Sequence, residues 1–380
     1  MNEYDAIVVG LGGAGASVAA FLAGAGSTVL GLEQFGPTHS RGSSHGRTRI
    51  YRTAYYEGAA YVPLVQRAQV LWRQLQSNVD VPILRKTGGL MIGAPDSPTV
   101  GGARRTATQL HLDHALLTAG DLRKQYPQFA VRDGESALWD PNAGVLFPEN
   151  CISSYVGAAV ASGAELHYGE AVTSWSSEPA SVTVRTAEGA YRARSLVLTA
   201  GAWTPQMVGD LSLPLTVERQ FVLWFPSAHP GFTGPETMPV FLWDRGTEAQ
   251  TYGIPDFGDG VKVGAWNGRP APTPETADRT FGEEVARPVR AFVRESLPDL
   301  VPHETAAVSC LYTNAPDRHF VLGPHPRHAN VTVVSACSGH GFKFTSVVGE
   351  VVARWVRGEP IDYDLRPFDP GRFERAAPPP

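Results

Sequence analysis

The opening of the chain constrains it most. An apolar run from Ala6 to Val9 leads into Gly10-Leu11-Gly12-Gly13-Ala14-Gly15, a small-residue stretch to about Ala25, and Thr28 to Leu32 ending at Glu33. That order predicts strand, glycine turn, helix and strand, a βαβ unit with G-x-G-x-x-G where a dinucleotide pyrophosphate binds. Gly10 allows the turn, Gly12 lets backbone approach the phosphates, and Gly15 lets the helix pack close to the strand. Unpaired amides and the helix dipole then face the phosphates. Glu33 is placed to accept hydrogen bonds from a ribose, and its charge would repel a 2′-phosphate. NADP is thereby disfavoured, while FAD and NAD both stay open.

The rest of the chain sets the context. With 380 residues it is long enough for two domains, and its formal charge of −5 argues against a nucleic-acid surface or a polybasic membrane arm. Cys151, Cys310 and Cys337 are odd in number and form no C-x-x-C. Neither a disulfide framework nor a metal site is expected, and a reducing cytoplasm fits. Residues 6–25 are uncharged, but Glu3 and Asp5 precede them and glycines interrupt them, so no membrane span or signal peptide is expected. Helices are predicted at 62–78, near 101–116, from Cys151 to Ser162 and at 281–297. A hairpin is expected from Ser181–Thr186 and Tyr191–Arg194, followed by a separate buried strand at Leu196–Thr199. Antiparallel strands should fill 217–266. A third apolar strand, 331–335, should precede a helix running to about Val356. The end, Ala376 to Pro380, reads as disordered. Nucleotide-type elements at the start, middle and end imply domains interleaved in sequence.

Several motifs occur in order: GSSHGRTRIYR from Gly42 to Arg52, YVPL from Tyr61, TGG from Thr87, GVLFPENC from Gly144 to Cys151, TAGAW from Thr199 to Trp203, VSCLYT from Val308, and SGHGFK from Ser338 to Lys343. With Gly10–Gly15 they make the chain resemble the monomeric sarcosine oxidase and N-methyltryptophan oxidase family over about residues 4–368. The resemblance implies an α/β fold with a Rossmann-like FAD-binding domain (1–84, 144–210, 308–368) interleaved with an antiparallel-sheet substrate domain (85–143, 211–307), and a tail at 369–380. It implies a monomer that oxidises the C–N bond of an N-methyl or cyclic secondary amino acid and passes electrons to oxygen as hydrogen peroxide. A D-amino-acid or glycine oxidase, and a desaturase of a cyclic imino acid, are the enzymic alternatives. An NAD dehydrogenase sharing only the βαβ opening, and a flavin-bearing binding protein, are the remaining readings.

Residue roles follow from the same resemblance. FAD is expected to be linked covalently to Cys310, while Cys151 and Cys337 lack that motif. Gly10, Gly12, Gly13, Ala14, Gly15, Glu33, Gln34, Ser43, His45, Arg49, Val172, Gly201, Trp203, Gly339, Gly341, Phe342 and Lys343 are the expected cofactor contacts. Arg52 and Lys343 should hold the substrate carboxylate, because Arg offers a planar fork and Lys a second charge. A surface ion pair with Glu57 is the plainer reading of Arg52. Lys262, in Val261-Lys262-Val263, should lie by the flavin and activate oxygen; by strand alternation alone it would be an exposed lysine. His45 and Arg49 should tune the flavin, and Tyr252 and Tyr312 should wall the pocket. Trp266 stands where the family often has a histidine. Trp is bulkier, stacks on rings and offers no general base, so a substrate other than sarcosine is expected.

Overall fold

A computed structural model describes residues 3–246, 250–271 and 273–373. Five strands form a parallel core in the order Glu165–Tyr168, Val29–Glu33, Glu3–Val9, Ala190–Leu198 and His328–Ser335, and Val321–His325 runs antiparallel to the last. Strands covered on both faces need no polar alternation, which explains the uninterrupted apolar runs. Helices Gly13–Gly24, Tyr61–Ser77, Pro148–Ala161 and Thr345–Val356 share one hydrophobic core on this sheet. A second core, with Ile7, Leu30 and Val333, joins it to Val182, Val184 and Leu211.

The strands expected at Tyr191–Arg194 and Leu196–Thr199 are a single strand, Ala190–Leu198. One edge pairs with Glu3–Val9 along its length. The other pairs antiparallel with Ser181–Thr186 in its first half and parallel with Val331–Val333 in its second. Burial changes where the neighbour changes, so the pattern reads as two strands.

The second sheet runs Arg269–Pro270, Thr216–Phe225, Val261–Ala265, Thr251–Ile254, Val240–Asp244, Gly89–Gly93, Ser136–Asp140 and Ala115–Thr118, with Ala306–Asn314 also on Thr216–Phe225. It is antiparallel except where Val240–Asp244 meets Gly89–Gly93 in parallel. Those strands come from segments far apart in sequence, so no hairpin forces them to oppose. The helix expected near 101–116 is Pro98–Gln109. Ser97 Oγ caps the Val100 amide at 3.2 Å, and Pro98 sits in the first turn, where its missing N–H costs nothing. His111 turns left-handed at φ 52°, and Ala115–Thr118 becomes an edge strand. A three-stranded sheet, Arg49–Tyr51, Gly144–Leu146 and Leu84–Lys86, lies apart from these two.

The uncharged run at 6–25 is the first strand, its turn and its helix. Among the described residues no helix is long and apolar enough to cross a membrane. The expected disordered end, Ala376 to Pro380, lies outside the described residues.

Candidate active site

A long cavity lies between the carboxyl ends of the parallel strands and one face of the second sheet. Its lining includes Val9, Glu33, Thr199 and Ser335 from the first, and Tyr252, Lys262 and Cys310 from the second. This is the crevice where open α/β sheets bind ligands.

The dinucleotide end is built at the first turn. Gly10 has φ +88°, open to glycine at little cost. A Cβ on Gly15 would lie 1.8 Å from the Gly10 carbonyl oxygen and 2.6 Å from Thr199 Oγ1, so the helix can approach the strand only at a glycine. Gly15 therefore acts by packing, and it does not line the cavity. A Cβ on Gly12 would meet nothing nearer than Ser44 Oγ at 3.8 Å. The helix that follows has no cap from its own N-cap residue, Gly12, and Ser44 Oγ accepts from the Gly13 amide at 3.3 Å. Glu33 is buried, its Oε2 accepting from the Leu11 amide at 2.8 Å and its Oε1 from the Phe35 amide at 3.0 Å. Gln34, Val172, Gly201 and Trp203 also line this end, and the Trp203 indole donates to Glu275.

At the other end, Gly46 to Arg49 bends around Lys262. Lys262 Nζ donates to the Gly46 and Thr48 carbonyls at 2.8 Å each and to Thr48 Oγ1 at 3.3 Å. The exposed reading of Lys262 does not hold: it is 2 % exposed, because both faces of Val261–Ala265 are covered. Burial, with Arg49 adding to it, pushes its ammonium well below the usual lysine range. Arg49 donates to the Thr48 and Ser43 carbonyls at 2.8 and 2.6 Å. His45 is buried, and its Nε2 has no hydrogen-bond partner. Glu149 Oε1 pins the loop by accepting from the Gly46 and Arg47 amides at 2.7 and 3.0 Å. Cys310, 4 % exposed, faces the same cavity, and burial raises its thiol pKa against the pull of Arg49 and Lys262.

The third cluster joins the residues after Arg49–Tyr51 to those after His328–Ser335. Arg52 and Glu57 do pair, but the pair is buried in the cavity wall and not at the surface. Burial opposes the Glu57 charge, but Arg52, His340 and Lys343 together outweigh it and hold the carboxyl below its usual range. Glu57 Oε2 is buried with no partner. Lys343 Nζ donates to the His340 carbonyl at 2.7 Å, and burial, then Arg52, push its ammonium well down. Gly339, Gly341 and Phe342 line the cavity here. A Cβ on Gly339 would lie 2.5 Å from Trp266 Cζ2, so the indole can pack this close only against a glycine. Tyr312 meets the indole edge-on at 6.4 Å, and Tyr252 lines the same wall.

The expected residues thus converge from both sheets, except Gly15 and His45, which lie outside the cavity lining. Glu57 as a cavity group, Tyr56 and Gln250 carried no sequence signal of their own, and His340 and Glu149 lay inside the motifs with no role of their own. Each depends on contacts made across long stretches of chain, such as Tyr56 OH to Gln250 Oε1 at 2.9 Å. The glycine turn, with open space at Gly12, and the buried carboxylate of Glu33 in the cavity lining fit a dinucleotide. Away from the cavity, Asp210, His325 and His328 bring ligand-type atoms within 4.8 Å. There the Arg327 amide donates to His325 Nδ1 at 3.2 Å, which puts the ring proton on Nε2, toward Asp210, as a hydrogen bond.

His340 makes acid stability predictable. Burial, with Lys343 adding to it against Glu57, takes its pKa down to about 4 from 6.5. Unfolded, it takes up a proton as pH falls below 6.5; folded, it does not until about pH 4. Stability present above 6.5 is therefore lost across that window, by about 3 kcal/mol for this group. Denaturant midpoints from pH 7 to 4 should fall less steeply in His340→Asn than in the parent; equal slopes would mean that the buried ring protonates freely.

Known proteins match the chain over nearly its whole length. Residues 5–355 match the family model described as FAD dependent oxidoreductase. The chain is 41 % identical over 378 residues to a monomeric sarcosine oxidase of Streptomyces avermitilis, covering 98 % of each chain. It is 34 % identical over 373 residues to an N-methyl-L-tryptophan oxidase of Citrobacter koseri, covering 98 % of this chain and 99 % of that one. The solved structure of NikD, an amino acid oxidase of nikkomycin biosynthesis, superposes with a TM-score of 0.86 at 24 % identity, over 97 % of this chain and 98 % of that one, and so shares the fold. With the family match spanning almost the whole chain, this protein belongs to the FAD dependent oxidoreductase family, with monomeric sarcosine oxidases among its relatives.

Proposed function

We propose that this enzyme oxidises the C–N bond of an N-methyl or cyclic secondary amino acid, using FAD linked covalently to Cys310 and oxygen as acceptor, with hydrogen peroxide as product. One observation carries the reading. Arg52 and Lys343 bring two buried cations to the cavity wall beside a single carboxylate, Glu57. A buried charge without a counterion is costly, and a substrate carboxylate supplies the missing one. Arg52 offers it a fork and Lys343 a point charge.

FAD, which Gly10–Gly13, Glu33 and Gly339–Phe342 would hold, would supply the acceptor for a hydride equivalent from the carbon next to the amine nitrogen. The chain's own groups set the conditions. His45 and His340 are each held by burial down to about 4 and so add no charge near the amine at neutral pH. A substrate bound with its amine neutral needs no protein base. Lys262 offers a cation where oxygen is reduced, and the imine leaves to hydrolyse in water. Trp266, Tyr312, Tyr252 and Leu242 give the cavity a largely aromatic wall, which favours a substrate bulkier than sarcosine. We place the enzyme in the cytoplasm as a monomer: its three cysteines are unpaired, and relatives carry a monomeric name.

A peroxide-coupled screen of N-methyl and cyclic amino acids tests the reading. At least one should release peroxide, and its carboxamide should not. Arg52→Ala should raise KM at least tenfold, about 1.4 kcal/mol or more of lost binding. An unchanged KM would remove Arg52 from the site. A yellow protein inert on the whole panel would overturn the reading, and an aromatic ring product would convert it to a desaturase.

A further inference from the structure

Arg52 and Lys343 come from segments far apart in sequence, yet they stand over one ring. Tyr55 lies under the Arg52 guanidinium at 4.2 Å and under Lys343 Nζ at 5.4 Å from its centroid. Arg52 also meets Tyr56 at 4.7 Å, and Lys343 meets Phe344 at 5.5 Å. Among the described residues, Tyr55 is the ring that both cations share. It is 0 % exposed and stands behind the cavity, outside the lining.

The ring is fixed in place. Its hydroxyl lies 2.6 Å from His340 Nδ1. His340 Nε2 lies 3.1 Å from the Arg318 carbonyl, which can only accept. The ring proton is therefore on Nε2, and Nδ1 accepts from the Tyr55 hydroxyl. The His340 carbonyl in turn accepts from Lys343. One residue thus holds Tyr55 by its side chain and Lys343 by its backbone. Tyr61 and Phe344 pack on the Tyr55 ring at 5.0 and 5.3 Å.

Two cations near one another repel, and burial disfavours both. A negative ring face in a dry setting offsets part of that cost. We propose that Tyr55 is a positioning residue that acts through Arg52 and Lys343: its ring face holds the two cations side by side and charged, and His340 fixes the ring, so that together they present one site for a carboxylate. This rests on the reading that these cations bind the substrate carboxylate.

The holoenzyme can be titrated with N-acetylglycine and with its uncharged amide, following the flavin absorbance. The wild type should bind the carboxylate at least tenfold more tightly than the amide, and Arg52→Ala should abolish that preference. Tyr55→Phe should keep the preference within threefold. Ring-fluorinated phenylalanines at position 55 keep the shape while weakening the ring face. Carboxylate affinity should fall stepwise from Phe to the monofluoro to the trifluoro ring, at least tenfold in all, with amide affinity unmoved. Tyr55→Met should resemble the trifluoro ring. Equal loss of both ligands, or no trend with fluorination while the wild type keeps its preference, would overturn the role of Tyr55. A wild type without preference would instead sink the carboxylate reading beneath it.

Discussion

Lys262→Met is expected to slow reoxidation of the reduced enzyme by oxygen by a factor on the order of 10² to 10³, the usual loss when a preorganised charge-stabilising group is removed. Anaerobic bleaching of the flavin by the amine should keep nearly its parent rate. The prediction rests on how Lys262 is held. Its ammonium is buried against two carbonyls and a hydroxyl, with no carboxylate on it among the described residues, and with the Trp224 ring at 5.3 Å. Such a placement disfavours the charge until an anion arrives. Under the proposed function, superoxide and peroxide form as anions in a dry site, and Lys262 is the cation proposed to hold them. Methionine fills similar volume without the buried charge but leaves the Gly46 and Thr48 carbonyls without their donor, so the two effects oppose one another and stability should change little. Stopped-flow measurement of the two half-reactions separates these claims. Equal slowing of both would mean that Lys262 supports the whole site instead of oxygen chemistry.

Cys310→Ser should abolish retention of flavin in the acid-precipitated protein. The parent precipitate should stay yellow, and its intact mass should exceed that of the bare chain by one flavin dinucleotide. Cys310 sits opposite Gln220 on the strand beside Thr216–Phe225, buried and facing the cavity that Lys262 and Arg49 also line. Burial alone makes a thiol inert, but two cations beside this one favour its thiolate, the form able to make a bond. Cys151 has no such neighbours: burial takes its pKa far up, and it packs in the main core. A parent mass equal to the bare chain would overturn the linkage.

The contrast between those two cysteines marks where sequence reasoning works. Gly10–Gly15 was legible because turn, helix start and strand are consecutive, and the steric demand at each glycine is local. The helices at Tyr61–Ser77 and Glu283–Ser296 were legible because their apolar stripes have helical spacing. Ala190–Leu198 was misread as two strands because its partners change halfway, and a pattern records burial without naming neighbours. Lys262 shows the same limit more sharply. Alternation in Val261–Ala265 places it opposite the valines, but whether that face meets water or another layer is decided by residues 46–48 folding over it.

By itself, then, the amino-acid order determined the βαβ opening, the motif series and the residue types able to serve a flavin and an anionic amine. Those signals lie within a few consecutive residues, where backbone sterics and hydrophobic period act. Tertiary structure alone decided that Glu57 is buried against Arg52 in the cavity wall, that Glu149 ties down the loop around Lys262, and that Tyr55 lies beneath two cations. Each of those depends on contacts between segments far apart in the chain, whose charges and rings become neighbours only after water is excluded between them.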